Sequence, residues 1–128
     1  MKKLDTVISN MMDSRGDDTV SLNAVHIDVM FFSTDSDRAY HAMKKFIYDN
    51  NILPLSERKS GNEFTIETNR GRFRARVYNQ ACRGYRYNEV HIDRKIDSEH
   101  YQYIEMKVVP PCGVDYEDWM SGSRVFYY

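Results

Sequence analysis

This sequence predicts an α/β fold, a single domain with a mixed β-sheet flanked by helices, and three stretches carry that prediction. Residues 24–32 (Ala-Val-His-Ile-Asp-Val-Met-Phe-Phe) are rich in β-branched and aromatic side chains, the composition of a central strand. Directly after them, Ser33-Thr34-Asp35-Ser36-Asp37 offers hydroxyls and carboxylates to the free N–H groups of a first helical turn. Ala39, Met43, Phe46 and Ile47 follow at the spacing of one buried face of a helix over 36–48. Glu63–Thr68 and Arg72–Tyr78 then alternate at period two about Asn69-Arg70-Gly71, which reads as a hairpin within 55–78. Strand, capped helix and hairpin in one chain of 128 residues make one layered domain.

The other elements follow in order. Leu4, Val7, Ile8, Met11 and Met12 recur at spacings of three and four, so residues 1–20 read as a short amphipathic helix and a polar loop through Ser14–Asp18. Asn50-Asn51 stops the central helix, and Pro54 keeps the next segment extended. Val90–Ile92 is a short strand. Residues 98–108 fit a helix or an extended amphipathic segment, broken by Pro110, Pro111 and Gly113. Residues 110–128 form an acidic, aromatic tail with a short strand at Arg124–Tyr128.

A formal net charge of −1 excludes a polybasic or polyacidic chain, and a hydrophobic content of 41% suffices for a buried core. No apolar run approaches the roughly 18 residues of a membrane helix. The opening Met1-Lys2-Lys3-Leu4-Asp5 turns polar too soon for a signal peptide. Cys82 and Cys112 read as two free thiols of a reducing compartment. These features point to a cytoplasmic protein with no membrane partner, either bacterial or made by a virus inside its host.

Asn79–Asp93 reads as a turn, an Arg-Gly bend and a short apolar strand ending in an acid. Within it, Arg83-Gly84-Tyr85-Arg86-Tyr87-Asn88-Glu89-Val90-His91-Ile92-Asp93 repeats a phrase of Arg-Gly-aromatic-Arg, polar pair, apolar run and Asp. With the strand, capped helix and hairpin before it, residues 24–93 resemble the ATPase core of phage terminase large subunits and related P-loop or helicase-type motors. The resemblance implies that Asp93 falls on the Mg²⁺-binding acid and Gly84 on the bend before the strand. Two departures remove the chemistry. The chain holds no G-x-x-x-x-G-K-[ST] loop to cradle phosphates, and Arg94 stands where the water-polarising glutamate belongs. The expectation is therefore a degenerate ATPase-like domain that is no enzyme and needs no cofactor.

Three constellations carry possible chemistry. Val-His-Ile-Asp occurs at 25–28 and at 90–93, so His26 with Asp28 and His91 with Asp93 each share a strand face. In adjacent, in-register strands these four would suit Zn²⁺, Mn²⁺ or Fe²⁺; otherwise they are a chance repeat. Arg70, Arg72, Arg74 and Arg76 occupy alternate positions opposite Phe73, Ala75 and Val77, and Arg83, Tyr85 and Arg86 follow. Guanidinium forks on phosphates and tyrosines on bases are the pattern of nucleic-acid contact; a solvated strand face neutralised elsewhere is the bland alternative. Asp97, Glu99, Glu105, Asp115, Glu117 and Asp118 face only Lys107 over 97–118; Asp115, Tyr116 and Trp119 of the tail suit a protein partner or self-association, unless Tyr116 and Trp119 cover one edge of the core. The favoured expectation is a non-catalytic, viral-type accessory protein that binds nucleic acid through the arginine strand. Its rivals are a small protein that binds and modulates a host or viral protein, and a metal-dependent phosphoesterase.

Overall fold

A computed structural model of the chain describes residues 26–128, so the expected helix over 4–12 and its polar loop lie outside the described residues. The elements are β1 (Ile27–Ser33), α1 (Ser36–Asp49), β2 (Pro54–Ser60), β3 (Glu63–Thr68), β4 (Gly71–Val77), β5 (Glu89–Ile92), α2 (Tyr101–Glu105), α3 (Tyr116–Met120) and β6 (Val125–Tyr127). Short 3₁₀ turns at Gln80–Gly84 and Ser98–His100 lead into β5 and α2. The strands form one mixed sheet in the order β2-β3-β4-β1-β5-β6. β4, β1, β5 and β6 run parallel, while β2–β3 and β3–β4 are antiparallel. The α/β fold with a mixed sheet and flanking helices is as the sequence predicts.

Each early element forms for the reason its residues supply. Asp35 is the N-cap of α1, and its carboxylate accepts from Asp37 N–H at 2.8 Å. Ala39, Met43 and Ile47 fall on one face and are buried, with Phe46 half-buried beside them. The helix ends where Asn50 N–H reaches back to Phe46 C=O and Asn51 takes a positive φ of 55°. In the hairpin, Thr68 Oγ1 accepts from the N–H groups of Arg70 and Gly71, closing a two-residue turn. Gly71 has φ 135°, and a Cβ there would lie 2.0 Å from Ile27 C=O, so only glycine lets β4 start against β1.

Residues 98–108, open between helix and extended chain in sequence, resolve into the 3₁₀ turn and α2, with Val108 bridging to Tyr87. β2 and α3 are elements that the sequence reading lacks. The sheet buries both faces. On one, α1 covers Val29, Phe31, Phe73 and Ala75. On the other, Cys82, Tyr87 and Ile104 cover Met30, Phe32, Val90 and Ile92. That second cover spans β1 and β5; on the same face of β2, β3 and β4 no helix packs, and only the Tyr85 loop lies over β4. Among the described residues no helix is long and apolar enough to cross a membrane.

Candidate functional site

The open half-face carries the arginine row. Phe73 and Ala75 point under α1, so Arg72, Arg74 and Arg76 must project from the opposite side. Arg70 does not join them. It occupies the hairpin turn, where its C=O accepts from Ile27 N–H, so the row is three arginines long and not four. Antiparallel pairing sets Glu67 beside Arg72 and Thr65 beside Arg74. Arg72 Nε donates to Glu67 at 3.0 Å, and Arg58 of β2 approaches the same carboxylate at 3.6 Å. Arg76 lies 3.7 Å from Glu63, with its side chain only 15% exposed.

The loop after the 3₁₀ turn places Tyr85 over the row. Its ring centroid is 5.2 Å from the Arg74 guanidinium and 5.3 Å from that of Arg76, and its hydroxyl donates to Glu63 at 3.0 Å. Arg74 Nη2 reaches Arg86 C=O at 3.5 Å, while Arg74 Nε is buried with no hydrogen-bond partner among the described residues. Asp28 of β1 pairs with Arg72 and faces the same side, so Arg58, Arg72, Arg74, Arg76 and Arg86 stand against Asp28, Glu63 and Glu67, five charges against three, an excess of two. Arg83 lies further on, its guanidinium over Tyr103 at 5.1 Å. Sequence reasoning missed Arg58 and the two glutamates. The glutamates were findable, because a two-residue turn at Asn69-Arg70 pairs Glu67 with Arg72 by geometry alone.

The two Val-His-Ile-Asp segments are on adjacent parallel strands but out of register. Phe31 pairs with His91, with Met30 beside Val90 and Phe32 beside Ile92. Aligning the repeat would slip this pairing by five residues, roughly 17 Å along the strand. The apolar rows on the buried faces fix the observed register. His26 and Asp28 therefore lie at the opening end of β1 and Asp93 at the closing end of β5, so the four do not converge on a metal. His91 is instead packed in aromatic rings, stacked on Phe31 at 4.1 Å and Phe126 at 4.8 Å, with its Nε2 at 2.8 Å from Glu89. The closest set of metal-type ligands among the described residues is Asp97, Glu99 and His100, with ligand atoms within 4.8 Å, on one solvated turn.

Asp93 is a buried anchor, its side chain 1% exposed. Its Oδ2 accepts from Ser33 Oγ at 2.7 Å and Arg38 Nε at 2.8 Å; its Oδ1 accepts from Arg38 Nη2 at 3.2 Å and Lys95 N–H at 3.0 Å. Burial alone would raise its pKa. The hydrogen bonds from Arg38, Lys95 and Ser33 and the Arg38 charge outweigh burial and hold the carboxyl at about 2. The carboxylate ties the ends of β1 and β5 to the first turn of α1.

The tail is mostly exposed, with Trp119 as its buried anchor. Trp119 is 2% exposed, packs in the core under α1 and donates from Nε1 to Asn88 C=O at 2.9 Å. Of the two places expected for Trp119, the core edge holds and partner contact does not, and the bond from its N–H is what lets the indole sit so deep. Asp115 caps α3 and Tyr116 is exposed. Fold and site define a small mixed-sheet α/β domain with one half-open, arginine-rich face. Comparison with protein families, with curated proteins and with solved structures finds no match for the chain.

Proposed function

We propose that the protein is a non-catalytic binder of single-stranded nucleic acid, which lies along the open half-face of β2, β3 and β4. The observation that carries this reading is the excess of two positive charges on the part of the sheet face that no helix covers. Alternate residues of β4 present guanidinium groups in a straight row, a repeat comparable with the phosphates of an extended strand. Tyr85 and the half-exposed Tyr103 add rings on which bases stack. A flat sheet face suits unpaired bases better than a duplex groove, which takes a helix or a narrow ribbon.

Fluorescence anisotropy with a labelled single-stranded oligonucleotide tests the reading. Neutralising about three phosphates gives a slope near −2 in log K against log salt, from roughly 0.7 per contact on single strands. Arg72→Gln with Arg74→Gln shallows that slope by about one unit. No affinity at low salt, or a slope that the double variant leaves intact, refutes the proposal.

A second reading has its own observation. β2 is an open sheet edge, and Tyr48, Leu53 and Leu55 beside it are exposed. An edge flanked by apolar side chains suits a strand donated by a protein partner. Leu53→Asp with Leu55→Asp would abolish such pairing and leave oligonucleotide binding alone.

A further inference from the structure

A cavity of about 410 Å³ opens where the parallel strands end, lined by Thr34 after β1, Tyr78 after β4, Lys95 and Asp97 after β5, and Arg83 and His100 from the two 3₁₀ turns. The chain leaves β1 to cross one face of the sheet as α1 and leaves β4 and β5 to cross the other, so the cavity sits at the switch point where open α/β sheets take ligands. Arg83 and Lys95 have no ion-pair partner among the described residues, whereas Arg58, Arg72 and Arg76 each stand beside a glutamate. Two cations that no carboxylate pairs, against the single Asp97 of the same lining, suit a doubly charged phosphomonoester better than the singly charged diester of a chain interior. Tyr78 and His100, with ring centroids 5.6 Å apart, provide an aromatic wall, and Asp97 provides an acceptor for a hydroxyl or amino group. Phosphate, flat ring and hydroxyl together describe a nucleotide.

Tyr78 also continues the alternation of Arg72, Arg74 and Arg76 along β4, and it packs on Phe32 of the same sheet face. The arginine row therefore runs into the cavity. We infer that the cavity receives the phosphorylated terminal nucleotide of the strand carried by the arginine face, so that the protein recognises a strand end. This inference rests on the nucleic-acid reading above.

One internally labelled oligonucleotide with a 5′-phosphate, a 3′-phosphate or only hydroxyl ends provides the test. One phosphorylated end is expected to bind about tenfold tighter than the hydroxyl form. Arg83→Gln with Lys95→Gln removes that preference, so that all three forms bind alike. Arg72→Gln with Arg74→Gln weakens all three and preserves the ratio. Adenosine monophosphate in excess abolishes the preference in the native protein. Equal binding of all three forms by the native protein overturns terminal recognition and leaves the arginine-face reading standing. No binding of any form overturns both.

Discussion

Replacing Asp93 with asparagine probes whether the acid at the end of β5 is an anchor of the fold. Each carboxylate oxygen accepts from one Arg38 nitrogen and one further donor, Ser33 on Oδ2 and Lys95 N–H on Oδ1. An amide keeps one of these oxygens and turns an NH₂ group toward the other pair, so one Arg38 nitrogen meets a donor whichever way the amide faces. The carboxyl sits at about 2 against an ordinary 3.8, and a difference of that size is about 2 kcal/mol of preference for the ionised native state. Leaving a donor unpaired adds roughly 1–2 kcal/mol. Urea unfolding at pH 7 should therefore find Asp93→Asn less stable by about 3–4 kcal/mol. The native-state pKa is depressed, so this stabilisation is complete above the unfolded value and fades as pH falls from about 4 through 2. The gap between the two proteins should shrink in step. Equal stability at pH 7, or a gap constant down to pH 2, refutes the anchor. Oligonucleotide affinity of the folded variant should be unchanged.

Other outcomes follow from the same geometry. Gly71→Ala forces a Cβ against the backbone of Ile27 and adds left-handed strain, so it should cost at least about 3 kcal/mol or prevent folding, as read by thermal unfolding; an unaltered melting temperature would contradict the close approach. Trp119→Ala should cost about 3–5 kcal/mol in urea unfolding, whereas Tyr116→Ala on the exposed side of the same helix should stay within about 0.5 kcal/mol. Equal effects would place the indole outside the core. With ATP and Mg²⁺ the protein should release no phosphate above background in a colorimetric assay, since nothing in the sequence wraps the β- and γ-phosphates.

What the sequence disclosed was local. β1, α1 and the β3–β4 hairpin each carry their signal within a dozen residues: a β-rich run, an Asp35 cap before a four-residue spacing, an alternation around a tight turn. β2 was hidden because every residue from Pro54 to Ser60 is exposed, which erases the period-two pattern that marks a half-buried strand. α3 is five residues long and owes its place to the Trp119 indole and its bond to Asn88, contacts that no local pattern encodes. The arginine alternation was legible, but its partial neutralisation depended on register across the hairpin. The paired His-x-Asp motifs misled because identity of sequence says nothing about register between strands. The cavity at the strand ends draws Thr34, Tyr78, Arg83, Lys95 and His100 from three separate segments, and only the topology brings them together.

The position of β1 between β4 and β5 also dictates an order of assembly. β1 emerges first among the described strands, yet both its neighbours follow much later in the chain: Ile27 meets Gly71, and Phe31 meets His91. Until the hairpin strand is complete, the apolar run from Val29 to Phe32 has no ladder to join. The β2-β3-β4 meander closes over short loops and should form first, with β1 docking along β4 before β5 and β6 add, an order that pulse-labelled hydrogen exchange during refolding would check. During synthesis β1 should therefore lack a ladder partner, though α1 can already cover one face, until β4 has left the ribosome. That interval makes an unfinished polypeptide prone to aggregation, and slower elongation lengthens it.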